Sequence, residues 1–380
     1  MIYADNAATT KLDMDAFEAM KPFMLEEYGN ASQPYSFSRK PKQALKQARK
    51  DIAECIGADP DEIYFTSGGS ESDNWAIKCF APFETKIRHI ITSNIEHHAI
   101  LNSVEAEKKF GDADVFYLEV NEYGLINPND LVKVLDRRRT TIDSCEPTLV
   151  SIMYANNEIG TIQPIKELAD ISKKYGAVFH TDAVQAVGHV PIDVKELGVS
   201  LLSASAHKFN GPKGVGFLYS RCDLSSLING GAQENGHRAG TENIAAIVGM
   251  AVALKKNCTE MRKSAEKLYA LERLLLDKLN RSGLDYVRNG VNQLPGNISL
   301  SFAGVDGEML LHRLDLNKIC ISTGSACDSV NAQISHVIKA IGISERYAKG
   351  TIRISLGKDN TEADVNAIAE AIITILKNLK

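Results

Sequence analysis

Several short polar constellations in this chain each follow an apolar run, and each holds residue types that do chemistry. Ser67-Gly-Gly-Ser-Glu71 follows Ile63-Tyr-Phe-Thr66. Paired glycines let the backbone approach an anion, the N–H groups of a first helical turn point at it, and Ser70 adds a hydroxyl. The same residues also suit a plain strand–helix turn with Ser70 as N-cap. Ser205-Ala-His-Lys208 closes another apolar run. A lysine there lies at the carboxyl edge of a sheet, where open α/β folds place ligands. When partly desolvated it has a lowered pKa and can form a Schiff base with a carbonyl; the alternative is an ordinary surface lysine. His180-Thr-Asp182-Ala-Val-Gln185 offers a carboxylate that could hold a proton on a ring nitrogen, or an N-cap. Asn156-Asn157-Glu158-Ile-Gly160 offers amides for a ligand oxygen, or an Asx turn. Glu96-His97-His98 offers an imidazole to stack on a flat ring, without the acidic and third-ligand context of a metal site.

An anion cradle, a stacking ring, a ring-oxygen partner, a ring-nitrogen partner and an aldehyde-binding amine together make an inventory that suits pyridoxal 5′-phosphate. The elements that must position them alternate. Helical spacing over 44–56 ends at Gly57, and a helix is expected to run on from Glu71. Strand-like runs at 63–66, 88–93, 115–120, 148–154, 177–181 and 200–206 alternate for the most part with helical patterns near 98–110, 128–137 and 164–175. That order predicts βαβ units and a mostly parallel sheet covered on both faces, with the constellations on one rim. The run 214–220, joined to 200–206 by Asn210-Gly-Pro-Lys-Gly214, predicts an antiparallel addition.

A long helical stretch over 241–281 follows, then a second α/β pattern: strands at 297–302, 319–323 and 351–356, with helices at 306–315, 333–341 and 361–379. No Pro/Gly linker marks the boundary near 255–265, so one helix is expected to bridge two domains. The expected fold is α/β, a large domain over 14–255 and a smaller α/β domain formed by 1–13 and 256–380.

The 380 residues carry a net charge of −5, so no whole-chain basic field attracts nucleic acid or anionic lipid. No apolar run approaches the roughly 18 residues of a membrane span. The first residues lack the basic and apolar regions of a signal peptide. Seven cysteines, an odd number without a CxxC, argue against a disulfide framework or zinc ribbon and for reduced thiols in the cytoplasm. Cys320 lies between Ile319 and Ile321, as a structural cysteine would. Cys327 lies in Ser322-Thr-Gly-Ser-Ala-Cys-Asp-Ser329, whose small polar residues suit an exposed, reactive thiol.

The chain resembles the cysteine desulfurases, in the class V branch of fold-type I pyridoxal-phosphate enzymes. The resemblance rests on Tyr3-Ala-Asp-Asn-Ala-Ala-Thr-Thr10, Gly29-Asn30, Thr66-Ser-Gly-Gly-Ser-Glu71, Glu96-His97, Asn156-Asn-Glu-Ile-Gly160, His180-Thr-Asp-Ala-Val-Gln185, Ser205-Ala-His-Lys208, Gly230–Asn243, Ser325-Ala-Cys327 and Ile352-Arg-Ile-Ser-Leu-Gly357, in family order. It implies that Lys208 carries the cofactor as a Schiff base and later takes the substrate Cα proton. Asp182 pairs with the ring nitrogen, Gln185 and Asn157 face the ring hydroxyl, and His97 stacks on the ring. Gly69, Ser70, Ser205 and His207 hold the phosphate, and Thr241 reaches the phosphate of the partner subunit in a homodimer with shared sites. Arg353, assisted by Asn157, binds the carboxylate of L-cysteine.

The resemblance further implies that the Cys327 thiolate takes the substrate sulfur as a persulfide, releases alanine, and passes the sulfur to an acceptor protein of iron–sulfur cluster assembly or tRNA thiolation. No resident metal is expected, beyond a transient iron–sulfur contact at Cys327. Two stretches depart from the family pattern. Gln333-Ile-Ser-His336 replaces the usual Glu-Pro-Ser-His, and Gly29-Asn-Ala-Ser-Gln-Pro-Tyr35 replaces Gly-Asn-Pro-Ser-Ser-x-His. Both bear on substrate preference. The chain ends at Lys380 in a plain helix, without the extended tail of some cluster-assembly members, which favours a thiolation or other relay acceptor. The competing readings are a selenocysteine lyase or class V aminotransferase, and a non-catalytic sulfur-relay partner.

Overall fold

The computed structural model describes residues 1–80, 89–141, 147–324 and 334–379. In chain order its strands are β1 (Ile2–Tyr3), β2 (Ile63–Thr66), β3 (His89–Ser93), β4 (Asp114–Leu118), β5 (Thr148–Ser151), β6 (Val178–Asp182), β7 (Leu201–Ser205), β8 (Gly216–Ser220), β9 (Tyr286–Asn289), β10 (Asn297–Phe302), β11 (Ile319–Cys320) and β12 (Thr351–Ser355). Seven of them form one sheet in the order β2-β8-β7-β6-β5-β3-β4. β8 runs antiparallel to both β2 and β7, and the remaining pairs are parallel. Because β8 reverses twice, β2 runs in the same sense as β3, β5, β6 and β7, and the carboxyl ends of all of them share one rim. β3, β5, β7 and β8 are buried along their full length, which is why their sequences read as unbroken apolar runs rather than alternating ones.

Helices cover this sheet through their apolar stripes. Arg39–Ile56 buries Ala48, Ile52, Ala53 and Ile56 and stops at Gly57, whose φ of 71° a side chain would rarely adopt. It begins earlier than its apolar spacing predicts, because Pro41 in its first turn has no N–H to leave unpaired. The helix after β2 starts at Gly69 rather than Glu71, and its N-cap is Gly68, not Ser70.

The long helix Ile244–Arg281 is capped by the Asn243 side chain on the Ala246 N–H, 3.2 Å away. Its first half places Ala246, Ile247, Met250 and Leu254 in the core of the large sheet. Its second half places Leu268, Leu271, Leu275 and Leu279 in a separate core with Ile298, Leu300, Ile352 and Ile354. That second core backs an antiparallel sheet ordered β12-β10-β9. The N-terminus returns to it: β1 pairs with β11 in parallel, Ala4 joins its core, and Asp5 bridges to Ser355.

Two local expectations change, and two elements were unforeseen. The strand foreseen at 319–323 is β11 alone, followed by a single bridge from Ser322 to Arg353. Of the helix foreseen at 333–341, residue 333 lies outside the described residues, and the helix among them is His336–Ala340. Helix Met14–Leu25 and strand β9 were not legible: the first contains Pro22 and buries only Ala16, and the second is half exposed.

Candidate active site

A cavity of about 420 Å³ opens at the shared rim. This is a volume typical of small-molecule and cofactor sites. Gly69 and Ser70 follow β2, His97 and His98 follow β3, and Asn157 follows β5. Asp182 ends β6 and Gln185 follows it; Ser205 ends β7, and His207 and Lys208 follow it. All of them line the cavity, and Arg353 of β12 lines it from the small sheet.

At the β2 end, Gly68 has a φ of 151°, and a Cβ on Gly69 would lie 2.6 Å from Val184 Cγ2. Only glycines leave this turn open to a ligand. The Glu71 carboxylate accepts the Ser67 N–H at 2.8 Å and the Arg238 guanidinium at 2.9 Å, which ties the turn to the loop that carries Thr241. Thr241 itself is exposed and does not line the cavity.

His97 caps helix His98–Phe110, its Nδ1 accepting the Ala99 N–H at 3.1 Å. The proton of the neutral ring therefore sits on Nε2. Burial pushes its pKa down, Asp182 opposes this, and Lys208 adds to it. Asp182 Oδ1 accepts the Val184 N–H at 2.9 Å; burial raises its pKa against the pull of His97 and Lys208. His180, two residues earlier, belongs to the sheet interior. It bonds Ser151 Oγ at 2.9 Å and Ser203 Oγ at 3.0 Å, and burial lowers its pKa to about 3.

Lys208 ends a short turn and donates its amine to the Ala7 and Ala8 carbonyls at 2.6 and 2.8 Å. Gln185 Nε2 donates to the same Ala7 carbonyl at 3.0 Å. His207 Nδ1 meets Thr9 Oγ1 at 3.1 Å, and burial, with Lys208 and Lys213, brings its pKa to about 4. Of the two asparagines, Asn156 builds the turn: its Oδ1 accepts the Glu158 and Ile159 N–H groups. Asn157 is left to face the cavity.

The 4% exposed Arg353 donates from Nη1 to the Asn157 carbonyl at 3.0 Å and from Nη2 to Asp5 Oδ1 at 2.8 Å. Its Nε has no hydrogen-bond partner among the described residues. A buried, unpaired guanidinium N–H beside a carboxylate-bound one suits a second, incoming carboxylate. Cys327 lies outside the described residues.

Sequence reasoning missed four groups. Asp73, 1% exposed on helix Gly69–Cys79, lies with His97 and Asp182 such that one ligand atom from each falls within 4.8 Å of the others. Glu96 is buried beneath them; its Oε1 accepts Ser93 Oγ at 2.5 Å and the Met153 N–H at 3.0 Å, and burial raises its pKa to about 8. Asp5 balances Arg353 from far away in sequence. His336 lines the cavity, 4.9 Å ring to ring from His98.

These residues fit pyridoxal 5′-phosphate on the structure's own terms. The Asp73 Oδ1 atom is buried without a hydrogen-bond partner among the described residues, and the buried Asp182 lies beside it, so the pocket floor has an acidic partner for a protonated ring nitrogen. The glycine turn leaves room for an anion, and a lysine amine stands across from it.

Fold and site together define a pyridoxal-phosphate-dependent enzyme of the α/β transferase type. The chain belongs to the aminotransferase class V family, which it matches over residues 2–368. Within that family it is 48% identical to the cysteine desulfurase IscS of Dictyoglomus turgidum, over all of this chain and 95% of that protein. It superposes on a solved NifS-like protein with a TM-score of 0.90 at 37% identity, over 99% of each chain. It also superposes on SspA, solved in complex with cysteine, with a TM-score of 0.80 at 34% identity, over 95% of this chain and all of that one.

Proposed function

We propose that the protein is a cysteine desulfurase that converts L-cysteine to L-alanine and leaves the sulfur on Cys327 as a persulfide. The observation that carries this is the meeting, in one cavity, of the Lys208 amine, the buried Asp182 and the unpaired Nε of Arg353. An amino-acid carboxylate would be received on one side and a cofactor ring on the other. The full-length likeness to named desulfurases and to a cysteine-bound protein supports the same substrate.

Bound pyridoxal 5′-phosphate supplies an aldehyde for the Lys208 amine and a protonated ring that takes up an electron pair from the substrate Cα. Asp182 would hold the proton at the ring nitrogen. Gln185 and Asn157 would face the ring hydroxyl, and His97, neutral with its proton on Nε2, would cover the ring. Gly69, Ser70, Ser205 and His207 would hold the phosphate, His207 as a neutral donor. Thr241, from its exposed loop, would serve the partner's site in a homodimer. Arg353 would orient the substrate carboxylate, and Lys208 Nζ would accept the Cα proton. The Cys327 thiolate attacks the substrate sulfur. An S–S bond forms and the Cβ–S bond breaks; its electron pair and a proton end on Cβ, giving the alanine methyl group. One cysteine and one thiol thus give alanine and a persulfide, with sulfur oxidised, carbon reduced and no external oxidant.

The outer sulfur then passes to an acceptor protein, a cluster scaffold or a thiolation enzyme, in the cytoplasm. No helix among the described residues is long and apolar enough to cross a membrane. The functional division is a large domain over 14–255, which carries the cofactor site, and a small domain of 1–13 with 256–380, which brings Arg353 and Cys327.

Brief exposure of the protein to L-cysteine without reductant, followed by peptide mass spectrometry, tests this reading. One added sulfur on the peptide containing Cys327, with matching alanine, is expected. Alanine without that sulfur, or sulfur on another cysteine, overturns it.

A further inference from the structure

The floor of the cavity holds two carboxyl groups where cofactor chemistry calls for one. Asp73 projects from helix Gly69–Cys79, and Asp182 ends β6. Both are buried, with one oxygen of each in the cluster that spans 4.8 Å. Their surroundings differ. Asp182 accepts the Val184 N–H and faces His97 and Lys208, all of which favour its ionised form. Asp73 has the Ser203 hydroxyl, and its Oδ1 has no hydrogen-bond partner. Among the described residues, His180 Nε2 is 3.9 Å from that oxygen, on a buried ring that already shares hydrogen bonds with Ser151 and Ser203, and the His97 ring belongs to the same 4.8 Å cluster. Glu96, the remaining acid near the pair, adds a like charge if ionised. Two buried carboxylates this close cannot both ionise at little cost, and the better-solvated one keeps the charge.

We propose that Asp73 is a positioning residue for Asp182: it carries a proton, so the buried pair meets the ring nitrogen as one anion, centred on Asp182. This rests on the reading of Asp182 as the ring partner. Asp73 then acts as a neutral group, held by the Ser203 hydroxyl, that leaves the single charge on Asp182 and sets the electrostatics in which that carboxylate binds the ring proton. Burial and the neighbouring Asp182 both push the Asp73 pKa up, in the same direction.

The test uses the purified holoenzyme with Asp73→Asn and Asp73→Ala. Three properties are read: the pH midpoint of the cofactor's visible absorbance, the rate of cofactor release, and the infrared carboxylic-acid C=O band. Asn keeps a neutral, hydrogen-bonding group of the same size. It should leave the midpoint in place and the release rate within about twofold of the wild type, while Ala speeds release about tenfold. The wild type should show an acid band, besides that of Glu96, that both variants lack. A midpoint moved by about one pH unit or more in Asp73→Asn would mean that Asp73 had been an anion, and overturns the proposal. So does an infrared spectrum with no lost acid band, or an Ala variant indistinguishable from wild type in all three readings. An Asp182→Asn variant that retains its cofactor as well as the wild type overturns the underlying reading instead, and with it the proposal.

Discussion

The two sides of the cavity reach function by opposite physical routes. On the rim of the large sheet the groups are altered by burial: His97 and His207 are held neutral, and Asp73, Glu96 and Asp182 are pushed toward their protonated forms. On the small-sheet side a single buried guanidinium is paired with Asp5. The first side changes what its groups are, which suits covalent and proton-transfer chemistry. The second changes only what its group is bound to, which suits recognition by partner exchange. The N-terminal segment joins them. Asp5 holds Arg353, the Ala7 carbonyl holds both Lys208 and Gln185, and Asn6 Nδ2 donates to Ser355 O at 2.9 Å.

If that contrast holds, the rim should fail far more severely than the small-sheet side. Lys208→Ala should lose at least about 10⁴-fold in alanine formation and leave the protein without a borohydride-reducible link to its cofactor, read by turnover assay and mass spectrometry. Asp182→Asn keeps the shape but not the charge at the ring nitrogen. A loss of about 10²–10³-fold in kcat is expected, with a blue-shifted or depleted cofactor band. A variant within tenfold of wild type would mean that the rim's perturbed carboxylates are structural.

Arg353→Lys tests the other side. A lysine can answer Asp5 or a substrate carboxylate as a point charge but cannot reproduce the fork, so KM for L-cysteine should rise about 10–100-fold with kcat changed much less. A fall in kcat as large as that in kcat/KM would place Arg353 with the chemistry and erase the distinction between the two sides.

How much of this contrast was legible in the sequence follows from where each residue gets its meaning. The rim was readable because His97, Asn157, Asp182 and Lys208 each stand just past an apolar run, so alternation of strand and helix was enough to bring them to one edge. Asp73, on helix Gly69–Cys79, was not readable, since its neighbour Asp182 comes from β6, far along the chain, and its significance is the missing partner at Oδ1. The Arg353–Asp5 pair was invisible for a similar reason. It depends on β1 pairing with β11 and on the bridge from Asp5 to Ser355, contacts between opposite ends of the chain that no local pattern encodes. The strand and the long helix of the second unit read well, but β9, half exposed and without alternation, did not.

Burial on the rim also leaves a mark on stability. The folded pKa of His180, about 3, lies below the unfolded value near 6.5. Its neutral, doubly hydrogen-bonded state therefore contributes stability in full above about pH 6.5. That contribution is lost as pH falls toward 3, because only the unfolded chain takes up the proton, at up to about 1.4 kcal/mol per pH unit. His180→Gln, which can still meet Ser151 and Ser203, should flatten this acid limb in urea unfolding series between pH 6.5 and 4. An unchanged slope would show that His180 is not what makes the rim acid-sensitive.

The finest test of the small-sheet side removes the competitor rather than the receptor. Asp5 and a substrate carboxylate would draw on the same guanidinium, and Nη2 is committed to Asp5 at 2.8 Å while Nε has no partner among the described residues. Asp5→Asn weakens that commitment without deleting the contact. The charge left over on Arg353 is then available to the incoming carboxylate, so KM should fall about two- to fivefold, with kcat near wild type. The effect is small because the asparagine can still accept a hydrogen bond, and because the gain in binding is offset by a guanidinium less firmly oriented when no substrate is present. A rise in KM would mean that Asp5 serves mainly to aim Arg353, and that this side of the cavity, like the rim, works by preorganisation rather than by exchange of partners.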